Sequence, residues 1–161
     1  MALNDVSNIL WRERQLLELL VFKLEEEQLV LAAGRTRWLA HATREVETVL
    51  AEIKQIELER AVVLEGVSQE LGLSSSPSLR ELAELTPAPW NKLFEDHRRA
   101  LLETAQEIDS VARANRDLLS RGQQAAREAL ATIGEVQIDS YTPSGAAAAG
   151  SLGLRLIDEA I

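Results

Sequence analysis

The spacing of apolar residues constrains this chain more than any other feature. Leu3, Val6, Leu10, Leu17, Leu20, Leu24 and Leu31 recur at alternating steps of three and four, with Glu13 and Glu27 standing in the same line. That period puts them on one side of a helix, so the segment reads as a long amphipathic helix from about Asn4, its N-cap, to Ala33. Gly34 supplies the stop, because a helix closes readily on a residue that tolerates positive φ, and Thr36 is available to cap the next helix. A second line, Leu39, Ala42, Val46, Val49, Ile53, Ile56, Val63 and Val67 with Arg60 as its charged member, predicts a helix from Thr36 to Leu71. The short connection favours an antiparallel hairpin. The alternative is one long helix kinked at Gly34, since an internal glycine costs only about 1 kcal/mol.

The segment "GLSSSPS" (72–78) breaks the pattern and reads as a loop. "SLRE" comes next as a capping box, with Ser78 at the N-cap and Glu81 three residues later, opening a short helix that ends near Leu85. In "TPAPW", Thr86 can cap a further helix and Pro87 suits its first position. The third line holds Trp90, Phe94, His97, Leu101, Ile108, Val111, Leu118, Ala125 and Ala129, with Thr104, Asn115 and Gly122 as small or polar members, and predicts a helix to about Ile133. Three such stripes bury one another by lying side by side. The expected fold is therefore all-α: an elongated antiparallel coiled-coil bundle of three long helices with a short connecting helix. Residues 1–133 form the bundle domain, and 134–161, interrupted by Pro143 and glycines, form a flexible tail with a short amphipathic tip, "LGLRLIDEAI".

Composition narrows the function. With 46% apolar residues, 161 residues can bury a core, and the absence of cysteine excludes disulfides and thiolate metal sites and fits a reducing cytoplasm. A net charge of -9 disfavours nucleic acid and anionic membranes, which leaves a protein partner. The apolar run "LLELLVF" (16–22) is far shorter than the roughly 20 residues of a membrane span, and "MALNDVSN" has no signal-peptide pattern.

Residues for chemistry are few. Three positions before His41 and His97 stand Trp38 and Phe94, so the Glu-x-x-His pair of di-iron bundles is missing, as are His-Glu-x-x-His and a calcium loop. "GAAAAG" (145–150) has phosphate-loop glycine spacing but is followed by Ser151 and Leu152 where Lys and Ser or Thr are needed. The runs "EEE" (25–27) and "ELER" (57–60) read as solvated helix faces. No catalytic, cofactor or metal site is expected, and the chain is read as not an enzyme. His97, on the apolar stripe, reads as a packed residue. Asn115 reads as a register-setting polar residue or, alternatively, as a contact residue. Trp11, Trp38 and Trp90 read as packing near bundle ends or as partner anchors.

Long helices, a late "ARANRDLLSRGQQAAREAL" (112–130) with its Asn-Arg and Leu-Leu pairs, and a tail with Tyr141 four residues before Gly145 resemble the FlgN family of flagellar type III export chaperones. The resemblance implies a cytoplasmic chaperone that binds the helical terminal segments of hook-associated, or hook-filament junction, proteins, prevents their premature polymerisation and delivers them to the flagellar export gate. It places the cargo seam at Ile108, Val111, Asn115, Leu118, Leu119 and Leu130 and docking to the gate at Tyr141. It implies no cofactor, and a monomer or weak dimer is expected. The extension after Gly145 departs from a short family tail, and its Leu152, Leu154, Leu156, Ile157 and Ile161 are candidates for a placeholder folding back on the seam. The competing readings are a structural coiled-coil oligomerisation protein and a sequestering regulatory protein.

Overall fold

A computed structural model describes residues 2–133, which form four α-helices: α1 (Ala2–Ala32), α2 (Thr36–Leu71), α3 (Leu79–Leu85) and α4 (Trp90–Ile133). Among the described residues there is no strand. The expected all-α class holds. The predicted tail, with Tyr141 and the candidate placeholder residues, lies outside the described residues.

The turn between α1 and α2 is set by Gly34 at φ 66°. Its N–H donates to Leu31 O at 3.1 Å and that of Arg35 to Val30 O at 3.0 Å, the paired bonds of a Schellman motif. The chain therefore folds into a hairpin at this point, and the kinked single helix is not formed. Gly72, at φ 67°, closes α2 in the same way, with its N–H on Gln69 O and that of Leu73 on Ser68 O. The capping box of α3 is complete: Glu81 N donates to Ser78 Oγ at 3.2 Å, and Ser78 N donates to Glu81 Oε2 at 2.8 Å.

Three capping expectations fail, each for a local reason. α1 already begins at Ala2, which puts Asn4 inside the helix. Arg35 holds the cap position of α2 without a side-chain capping bond, so Thr36 is a helical residue. Thr86 closes α3 instead of opening α4, its hydroxyl donating to Leu82 O at 2.8 Å. Pro89 disfavours helical geometry at Ala88, which delays α4 to Trp90, whose N–H donates to Pro87 O at 2.9 Å.

α1 is the central helix. It packs against α2 on one side and α4 on another, while α3 rests on α4. Hydrogen bonds between helices give the directions. Glu27 meets Thr43 near the turn and Glu13 meets Arg60 further from it, so α1 and α2 are antiparallel. Ser7 meets His97 and Glu27 meets Asn115, so α4 runs parallel to α1. The core forms along these seams from Leu10, Leu17, Leu20 and Leu24 of α1, Val46 and Ile53 of α2, Leu82 of α3, and Phe94, Leu101 and Ile108 of α4. Full burial of each such side chain stabilises the fold by about 1.5–3 kcal/mol.

The buried line on α4 differs from the seven-residue stripe expected of it. It runs Phe94, His97, Leu101, Ala105, Ile108, Ala112 and Asn115, moving to Ala105 and Ala112 in place of Thr104 and Val111. Phe94 to Ala105, His97 to Ile108 and Leu101 to Ala112 are steps of eleven, which fit three turns of a nearly straight helix better than a left-handed supercoil. The two alanines also allow α4 to approach α1 closely.

Candidate functional site

The charged and polar exceptions in the apolar stripes meet one another. Glu13 of α1 is fully buried and receives two bonds from Arg60 Nη1 of α2, at 2.9 Å to each carboxylate oxygen. Burial pushes the Glu13 carboxyl up, and Arg60 pulls it back only in part. Sequence reading left these two as isolated interruptions. The signal that could have paired them is that Arg60 is the one charge on the α2 stripe and, of the two carboxylates on the α1 stripe, Glu13 lies at the more similar distance from Gly34.

Nearer the turn, one network ties all three long helices together. Asn115 Nδ2 of α4 donates to Leu24 O at 2.9 Å and to Glu27 Oε1 at 3.1 Å, both on α1. Thr43 Oγ1 of α2 donates to Glu27 Oε2 at 3.1 Å. Burial raises the Glu27 carboxyl, opposed by the bonds from Asn115 and Thr43. Asn115 therefore sets the register of α4 on α1, the structural alternative of the two expected. Glu27, read from the sequence within a solvated acidic run, is buried.

At the opposite end, His97 is fully buried, with Nε2 3.4 Å from Ser7 Oγ and Nδ1 3.4 Å from Arg14 Nη1. A guanidinium only donates, so Nδ1 is the acceptor and the proton sits on Nε2. The Trp11 ring meets the imidazole edge-on at 4.9 Å, and Arg14 stacks over Trp11 at 4.2 Å. Burial first, then Arg14, lowers the His97 pKa to about 4, which keeps the ring neutral. Trp90 stacks on Phe94, whereas Trp11 and Trp38 remain close to half exposed.

The residues assigned to a binding seam by resemblance divide into two groups. Ile108 is buried in the core, Val111 packs on its edge and Asn115 is held by Leu24 and Glu27. Leu118, Leu119 and Leu130 keep part of their surface exposed. The difference comes from helix length. Asn115 lies level with Leu24 and Glu27, so α4 passes the end of α1 near residue 121 and continues to Ile133, about 18 Å at 1.5 Å per residue. The face that contacts α1 runs through Leu119 and continues along this stretch as Ala126 and Leu130, and Gln124 to Ala129 are all exposed.

Among the described residues, no group of three His, Asp or Glu side chains is placed to hold a metal ion. No helix there is long and apolar enough to cross a membrane.

Among the described residues, fold and site together define an all-helical body in which one amphipathic helix end extends past the helices it packs against. A model of the family described as FlgN protein matches residues 1–149, and the chain belongs to that family, the flagellar export chaperones. The match includes Tyr141 and stops before Leu152, Leu154, Leu156, Ile157 and Ile161. No curated protein and no solved structure matches the chain.

Proposed function

We propose that this chain is a cytoplasmic chaperone that holds the helical terminal segments of hook-associated proteins until export, and that the projecting end of α4 is where they bind. The observation that carries this reading is that the α1-facing line of α4, which reaches the end of α1 at Leu119, continues for about three turns beyond it through Ala126 and Leu130. An isolated helix of that length is marginal in water, and an amphipathic cargo helix lying on its apolar face would supply the missing partner. Leu118, Leu119 and Leu130 then touch cargo, while Ile108, Val111 and Asn115 anchor the helix that presents them. The stripes of α1 and α2 are occupied within the chain, which favours this reading over a coiled-coil scaffold that would need them for self-association.

Delivery to the export gate is assigned to Tyr141, and the apolar tip from Leu152 to Ile161 to a placeholder that competes with cargo. Both assignments rest on sequence alone.

The test is calorimetric titration of the purified chain with the terminal segment of a hook-associated protein. Ala126→Glu together with Leu130→Glu keeps good helix formers but puts charge on the proposed seam, so affinity should fall at least about tenfold, equivalent to roughly 1.4 kcal/mol. Val62→Glu, on the exposed side of α2, should leave it unchanged. Equal binding by all three proteins would remove the α4 end from the mechanism.

A further inference from the structure

Beside the Glu13–Arg60 pair lies a second carboxylate that the pair does not satisfy. Glu57, one turn before Arg60 on α2, is half-buried, and its Oε2 is enclosed without a hydrogen-bond partner among the described residues. Arg60 Nη1 is already directed at both oxygens of Glu13. Two carboxylates thus lie near one guanidinium at the α1–α2 seam, and it bonds to Glu13. With both ionised the cluster carries a net negative charge at a partly desolvated seam, which is costly. Among the described residues, the charged groups acting on Glu57 are Glu13 from α1, which repels its ionised form, and Arg60 from α2, which favours it; none acts from α4.

We propose that Glu57, with its enclosed and unpartnered Oε2 beside the Glu13–Arg60 pair, is a proton-uptake site: the folded body holds a proton on this carboxyl that the unfolded chain releases, so the stability of the α1–α2 hairpin depends on pH. Burial, with the repulsion from Glu13 second and Arg60 opposing, raises Glu57 from 4.5 to about 7. The raised value fixes the sign. Below pH 4.5 both states bind the proton and the contribution of the protonated carboxyl is complete; it is lost as pH rises through about 7. Glu13 Oε1 and Oε2, both already accepting from Arg60, leave the proton on Glu57 as the simplest way to relieve the cluster.

Two measurements on the full chain test this. In a carbon-detected NMR titration, the Glu57 carboxyl is expected to show its midpoint near neutrality; a midpoint in the ordinary carboxylate range overturns the proposal. In denaturant unfolding across pH 5 to 8, Glu57→Gln removes the ionisable group while keeping its shape. The folding constant of the variant relative to wild type should rise by up to about tenfold per pH unit across the window below pH 7 and level off above it. Glu52→Gln, at an exposed position of the same helix, should show no such trend. A ratio for Glu57→Gln that stays flat with pH overturns the proposal as well, and the titration of wild type decides the matter if that variant does not fold.

Discussion

At the scale of single residues, the polar side chains inside this bundle act in sets. Arg60 faces a buried carboxylate, so replacing it by Met strands Glu13 and is expected to cost about 3–5 kcal/mol, whereas Glu13→Leu with Arg60→Met should come close to wild type. Urea unfolding of wild type, the two single variants and the double variant checks this as a double-mutant cycle. His97 has the opposite pH sign from Glu57. Its pKa is lowered to about 4, so its contribution is complete above its ordinary value of 6.5 and is lost as pH falls towards 4. Replacing it by Gln should flatten that acid limb in a melting series from pH 7 to 4. Little of this was legible beforehand. The sequence marks Glu13, Glu27, Arg60, His97 and Asn115 as exceptions to an apolar line, but periodicity says only which side of a helix a residue occupies. Which exceptions meet depends on the register between helices, and Glu57 lies just off the stripe, where partial burial leaves no pattern.

At the scale of the helix, the boundaries obeyed local chemistry where that chemistry was unambiguous. Gly34 and Gly72 occur where positive φ is needed, and Ser78 with Glu81 form a box that closes on itself. Thr86 misled because a hydroxyl can bond back to the preceding turn as readily as it caps the next. The eleven-residue repeat on α4 was hidden by the alanines that carry it, since Ala105 and Ala112 look no more buried in the sequence than Ala125 or Ala129. Two glycines give opposed expectations. Gly34→Ala forces a side chain into left-handed geometry and should destabilise by about 1–2 kcal/mol. Gly122 has no atom within 4 Å of an added Cβ, so Gly122→Ala should stabilise the end of α4 by about 0.5–1 kcal/mol. Thermal melts followed by circular dichroism separate the two.

At the scale of the molecule, the sequence supplied the number and kind of long helices but not the mismatch in their reach. An apolar stripe looks the same whether its partner lies in the same chain or in another, so the projecting end of α4 needed the alignment of Asn115 with Glu27 to be seen. Hydrogen exchange should register it: amides from about residue 123 onward exchange fastest among the helices, and those facing Leu20 and Leu24 slowest. Addition of a hook-associated segment should slow the former and leave the latter unchanged.

The central position of α1 also has a consequence for how the chain assembles during synthesis. Its contacts with α2 close over a short loop, while those with α4 join residues some ninety apart, as Ser7 with His97. The hairpin can therefore form while α4 is still emerging, with the second face of α1 open until Phe94, Leu101 and Ile108 arrive. Pulse labelling during refolding should find α1 and α2 protected before α4. Simultaneous protection of all three would mean that the hairpin does not stand without its third helix.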